Sequence, residues 1–345
     1  MRSRRSVKVA ALCAAGVAAL AGCGGGAGAG NGGDGIGVVT GVYPLEWLAG
    51  QVGGEHVEVT NLTEPGAEPH DLELTPRQIG SVSSADVVFF VHGLQPAVDD
   101  AVEQEGGDNA LDVGDIVDLR PATEEEGDAH AGEDAHADEG AEDAHGDEDA
   151  HADEGAEDAH GDEGGEEGHG HGDTDPHMWL DTDRMAQAAA GLAERLGEAD
   201  PGNAADYTAN AERVAGRLAD IGTEYTDGLA DCESRDMVVS HAAFGYLADA
   251  HDLHQIGVSG IDPEAEPSPA RLAEVAELVE NDGITTVFTE TLTSPRVAET
   301  IAAETGAETA VLDPLEGITD QSPGDDYPSV MRANLEALTG ALRCS

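Results

Sequence analysis

The chain has 345 residues, enough for one large domain or two ordinary ones, and 39% of them are hydrophobic, so a substantial core can form. Aromatic residues make up only 3%, which leaves Ala, Val, Leu and Ile to do most of the packing. A formal net charge of −57 excludes nucleic acid and anionic membrane surfaces as partners, and it attracts cations.

The first residues read as an export signal. MRSRRSVK carries four positive charges, VAALCAAGVAAL is apolar but too short to span a bilayer comfortably, and small residues follow. Leu20-Ala21-Gly22-Cys23 resembles a bacterial lipobox, so residues 1–22 are expected to be removed and Cys23 lipidated at the outer face of the membrane. GGGAGAGNGGDG then forms a flexible tether over 23–35. Of the four cysteines, Cys13 leaves with the signal and Cys23 takes the lipid. Cys232 and Cys344 remain, and in an exported chain they are expected to form one disulfide.

An N-terminal α/β lobe is expected over 36–120. IGVVTG (36–41) reads as a buried strand leading into a helix at Pro44–Leu48, and HVEVTNL (56–62) as a second strand. Thr75-Pro76 starts a short helix, ADVVFFVHG (85–93) is a strand of the buried parallel type, and a weaker strand lies near 110–113. Residues 121–172 then lose all periodicity. They hold 21 acids, seven histidines and no basic residue, in a near-repeat of 15 residues: AGEDAHADEG, AEDAHGDEDAHADEG, AEDAHGDEGG. So polar a unit can bury nothing, which predicts a disordered insert. The recurring His130, His136, His145, His151 and His160, with His169 and His171, are expected to bind metal weakly.

Residues 173–200 close the first lobe, with a helix from about 184 to 197 capped by Thr182 or Asp183. A long linking helix occupies 201–231, its apolar positions Val214, Leu218, Ile221, Tyr225 and Leu229 spaced by three or four. The C-terminal lobe, 232–345, alternates again. Strands are expected at 237–241, 253–258, 284–290 and 308–314, and helices from Ser268-Pro269, from Ser294-Pro295 and over 326–341. The fold class is α/β: two lobes, each a mostly parallel sheet flanked by helices, joined by a long rigid helix.

His70, His177 and His241 each stand where a strand or loop turns toward the next element, and in parallel α/β folds ligands gather at the carboxyl ends of strands. Three neutral imidazoles suit zinc, copper or nickel. Asp313, which ends the strand ETAVL, is the natural fourth donor; Glu290 competes for the role, and Glu68 or water could complete the tetrahedron. No HExxH and no GxSxG pattern marks a hydrolase.

EPHDLELTP, DPHMWLD, SHAAFGYL, SGIDPEAEPSPARL and VLDPL together resemble the zinc- and manganese-type solute-binding lipoproteins of bacterial ABC importers. The resemblance implies that His70, His177 and His241 match the family's three histidine ligands and Asp313 the acid that some members add. Manganese-type members generally carry Glu where this chain has His241, so the match is to the zinc branch, with Mn²⁺ as the alternative cargo. It implies a lipid-anchored, monomeric, non-enzymatic protein that holds Zn²⁺ between its lobes and passes it to a membrane permease with its ATPase. A manganese-binding homologue and a zinc-buffering surface lipoprotein or adhesin are the alternatives, with a secreted zinc hydrolase less favoured.

Overall fold

The computed structural model describes residues 35–122 and 174–345. The signal segment, Cys23 and its tether, and all seven histidines of the insert (His130, His136, His145, His151, His160, His169 and His171) lie outside the described residues.

Two four-stranded parallel sheets carry the fold. In the first, β1 (Ile36–Thr40) lies between β2 (Val57–Asn61) and β3 (Val87–Phe90), with β4 (Ala110–Asp112) beyond β3. The second repeats this order: β5 (Asp236–Val239) lies between β6 (His254–Gly257) and β7 (Thr286–Thr289), with β8 (Glu308–Val311) beyond β7. Alternation along the strands serves two faces. Val38 and Val87 enter the large core while Val39 and Val88 enter a smaller cluster; in the second sheet Met237 and Val239 divide from Val238 in the same way. In each sheet the first strand is central, so connections leave it in opposite directions and a crevice opens at the carboxyl ends.

Proline-led first turns and hydroxyl or carboxylate caps start most helices where the sequence predicts. Helices α1 (Tyr43–Gly53), α2 (Pro76–Ser84) and α3 (Pro96–Ala101) serve the first sheet. α2 is closed by a reciprocal cap between Thr75 and Gln78. No helix was expected at α3, whose six residues are too few to show periodicity. Next come α4 (Thr182–Ala199) and the 25-residue α5 (Ala204–Gly228). Asp181, rather than Thr182 or Asp183, caps α4: it is still extended, and its carboxylate accepts from the N–H groups of Asp183 and Arg184. The expected apolar stripe, Val214 to Leu229, is buried, and Tyr207 and Ala211 extend it toward the start of α5. Around the second sheet lie α6 (Gly245–Ala250), α7 (Pro269–Asp282), α8 (Arg296–Thr305) and α9 (Tyr327–Ala341).

The last helix does not stay with the second sheet. The Tyr327 ring stacks on Trp47 of α1 at 4.7 Å, and the Tyr225 hydroxyl of α5 donates to the Met331 carbonyl at 2.6 Å. One core therefore continues from Val38 and Leu45 through Trp179 and Leu218 to Phe244 and Val330. Cys232 and Cys344 form the expected disulfide, pinning the chain end beside the entry to β5.

Candidate metal centre

Each histidine is delivered by a different piece of backbone, and each is held from behind. His70 lies in the loop after β2. The Gln95 amide donates to the carbonyl of Pro69 at 3.1 Å and to Thr63 Oγ1 at 2.9 Å, and Thr63 donates to the Gly41 carbonyl. Gln95 is buried so close to Gly41 that a Cβ there would strike its Oε1. His177 immediately precedes a short 3₁₀ turn (Met178–Leu180) leading toward α4. Asp175 Oδ1 receives both its backbone N–H at 3.0 Å and its ring Nδ1 at 2.9 Å, so Nε2 faces the crevice. His241 follows β5 by two residues; Glu290 Oε1 accepts its backbone N–H at 3.1 Å and lies 2.8 Å from Nδ1 as an ion pair.

The three Nε2 atoms converge on one carboxylate oxygen, Glu316 Oε1, at 3.3 Å from His70, 3.2 Å from His177 and 3.3 Å from His241. The Nε2 atoms of His70 and His177 are 3.4 Å apart. All four residues are buried. In a tetrahedron the donor–donor edge is about 1.6 times the metal–donor distance, so zinc bonds of roughly 2.0–2.1 Å require edges of roughly 3.3–3.4 Å. Glu316 Oε2 is buried with no hydrogen-bond partner among the described residues, which is unusual for a polar atom unless it serves an ion.

Electrostatics make the cluster a trap for positive charge. Burial disfavours a charged His241 ring, but the Glu290 and Glu316 carboxylates outweigh it and raise the pKa well above the ordinary imidazole value. Burial likewise opposes charge on His177, and the Asp175 and Glu316 hydrogen bonds reverse the balance. Burial pushes Glu316 upward, yet the surrounding histidines hold it well below the usual carboxylate range. Without a metal, these shifts favour protons on His177 and His241 and an ionised Glu316 between them.

The fourth position corrects the sequence expectation. Asp313 is buried but its carboxylate is spent on the loop: Oδ1 accepts the Leu315 N–H at 2.8 Å and Oδ2 the Thr291 hydroxyl at 3.2 Å. Its peptide is gripped by Asn334, which accepts from the Asp313 N–H and donates to its carbonyl. β8 ends at Val311, and the buried Leu315 takes a left-handed φ of 65° that re-aims the chain and brings Glu316, not Asp313, to the histidines. Glu290 stands behind His241. Glu68 uses Oε2 on the Asp71 N–H at 3.1 Å and does not join the cluster.

Sequence reasoning missed Glu316, Asp175 and Gln95. Asp175 had a usable signal, a carboxylate two residues before a candidate ligand histidine. Glu316 had a weaker one, an acid flanked by Leu315 and Gly317 just past the apolar strand. Gln95 had none, because its partners are distant in sequence. Three further histidines stay outside the cluster, and His92 and His254 are largely exposed rather than interior. His92 is near Asp99, His254 near Asp236, and His251 stacks on Tyr225.

Comparison with known proteins agrees in kind. The family model described as zinc-uptake complex component A, periplasmic, matches residues 38–341. The zinc-binding protein AdcA of Streptococcus pyogenes is 34% identical over 314 residues, which cover 87% of this chain and 55% of that one. The high-affinity zinc uptake system protein ZnuA of Bacillus subtilis is 29% identical, over 88% of this chain and 87% of its own. Among solved structures, the laminin-binding protein Lmb of Streptococcus agalactiae, described as having adhesin and metal-transporting activity, superposes with a TM-score of 0.70. It is 26% identical, over 89% of this chain and all of its own. Zn(II)-bound AdcA of Streptococcus pneumoniae gives 0.67 at 26% identity, over 89% of this chain and 58% of that one. The chain thus spans about half the length of the first curated relatives it matches.

Proposed function

Since this chain belongs to the family of the zinc-uptake complex component A, we propose that it captures Zn²⁺ outside the cytoplasm and delivers it to an ABC permease with its ATPase. The observation that carries this reading is the convergence of three imidazole Nε2 atoms on Glu316 Oε1 at the edge lengths of a zinc tetrahedron. His70, His177, His241 and Glu316 are the proposed ligands. Three nitrogens and one oxygen favour Zn²⁺ over Mn²⁺, which prefers oxygen donors. A buried four-donor shell leaves no open position for a reacting substrate, which suits carriage rather than catalysis. The metal would sit between a lobe built on residues 36–120 with 173–200 and one built on 232–345. Lipid on Cys23 would anchor the monomeric protein to the membrane.

Chelator-stripped protein titrated with zinc against a competing chelator should show one tight equivalent. A strain lacking the gene should lose ⁶⁵Zn uptake in zinc-depleted medium, and normal uptake would refute the importer role.

The pH dependence follows from the histidine shifts. His177 and His241 hold protons more tightly than free imidazole does, and zinc must displace them. Affinity should therefore rise with pH through and above the ordinary imidazole range, and fall on acidification toward about pH 5. Binding at neutral pH should release protons, so that calorimetric enthalpy varies with the buffer's ionisation enthalpy. Affinity that stays flat with pH would contradict histidine ligation.

Pro121 and Thr174 form an antiparallel bridge, so the ends of the insert lie side by side. Replacing residues 123–173 with a short Gly/Ser linker should keep the tight equivalent and abolish weaker ones supplied by the seven histidines. Loss of the tight site would mean that the insert supplies a primary ligand.

A further inference from the structure

The geometry points to Arg120 as a positioning residue that locks His177 in ligand geometry by tying it to the helix behind His241. This inference deepens the zinc-binding reading above and rests on it.

Arg120 Nη1 donates to Asp175 Oδ2 at 2.8 Å, on the carboxylate whose other oxygen holds the His177 ring. Asp175 is fully buried, so its orientation depends on these few partners. The same guanidinium reaches the segment that follows the other histidine: Nε donates to Asp249 Oδ2 at 2.7 Å, and Cζ lies 5.6 Å from the centre of the Tyr246 ring. The backbone closes the circuit. The Arg120 N–H donates to the Tyr246 hydroxyl at 2.8 Å, that hydroxyl donates to the Asp175 carbonyl at 2.6 Å, and the Asp175 N–H donates to the Arg120 carbonyl at 2.9 Å. Gly245 is part of the fit. A Cβ there would collide with Nη1, would come 2.6 Å from Cζ, and would press on Asp175 Oδ2 at 3.0 Å.

His177 and His241 come from distant parts of the chain, and a tetrahedral shell tolerates little error in where their Nε2 atoms meet. Arg120 fixes the first ligand against the first turn of α6, four residues beyond the second. The cluster also lies at the root of the insert, one residue before the Pro121–Thr174 bridge. A lysine would reach only one of the two carboxylates, whereas the fork of Arg120 serves both.

The test uses the full chain with three variants, R120M, R120K and G245A. G245A removes no polar group; it displaces the guanidinium, the mobile end of a long side chain. Zinc dissociation into excess chelator and the visible spectrum of the Co²⁺-loaded protein are read beside thermal unfolding of the metal-free form. Zinc should leave R120M and G245A about 10–100-fold faster than wild type, with R120K between. Their cobalt bands should shift, because the His177 donor is misaimed. A merely structural Arg120 would lower the unfolding temperature and leave the cobalt spectrum and the zinc off-rate unchanged. That outcome in any folded variant overturns the inference, and R120K, the mildest change, carries the test if the others do not fold. Wild-type protein without a tight zinc equivalent would instead overturn the zinc-binding reading.

Discussion

Alanine at position 241 is expected to cost the protein about 30–100-fold in zinc affinity. The apparent binding free energy of a four-donor protein zinc site is of order 10 kcal/mol. One donor in four therefore carries about 2–3 kcal/mol, and each 1.4 kcal/mol is a factor of ten. Water can enter the gap, but it restores neither the basicity of the imidazole nor its fixed position. The variant should also weaken the metal-free fold. His241 is buried between Glu290 and Glu316, and its removal leaves two buried carboxylates without their shared cation. Breaking one side of a buried ion pair typically costs about 3–5 kcal/mol. Competition with a chelator of known affinity and thermal unfolding of the stripped protein measure the two effects separately. Affinity within about threefold of wild type would remove His241 from the ligand set.

Glu316→Gln and Asp313→Asn should differ sharply although both remove one buried negative charge in the same loop. At position 316 the amide keeps the size of the side chain but loses the anion on which three Nε2 atoms converge. Affinity should drop by about a hundredfold or more, since a neutral amide oxygen is a poor ligand for zinc. His241 should also become easier to deprotonate in the metal-free protein, because Glu316 is one of the two carboxylates that raise its pKa. At position 313 the amide oxygen can still accept the Leu315 N–H, and the amide NH2 can donate to the Thr291 hydroxyl oxygen, so the turn persists. Affinity should then fall by about tenfold at most, through slack in the loop. The opposite ranking would make Asp313 the ligand.

Much of this site was legible before any coordinates. Proline and capping residues marked helix starts at Pro76 and Pro269, and the spacing along α5 marked its buried face. Those signals act over a few residues and survive any tertiary arrangement. The cap of α4 moved to Asp181 because capping depends on which residue is the last extended one, a difference of one peptide. The strand expected to reach 314 stops at Val311, and Glu316 rather than Asp313 meets the histidines. The sequence puts Asp313 at the end of ETAVL, the same strand-to-loop position as His241. Leu315 instead turns the chain with a positive φ, which no pattern in VLDPLEG announces for a leucine.

Acidity, the α/β alternation and the three clustering histidines followed from residue type, order and spacing, because charge, helical periodicity and metal-donor chemistry are properties a residue carries with it. The fourth donor, the carboxylates behind His177 and His241, and the Arg120 contacts across 55 and 129 residues of chain had to wait for the tertiary structure. These depend on direction, on which way a side chain leaves a turn and what lies within 3 Å of its tip. Direction is set only when the two sheets, the linking helices and the returning α9 close on one another.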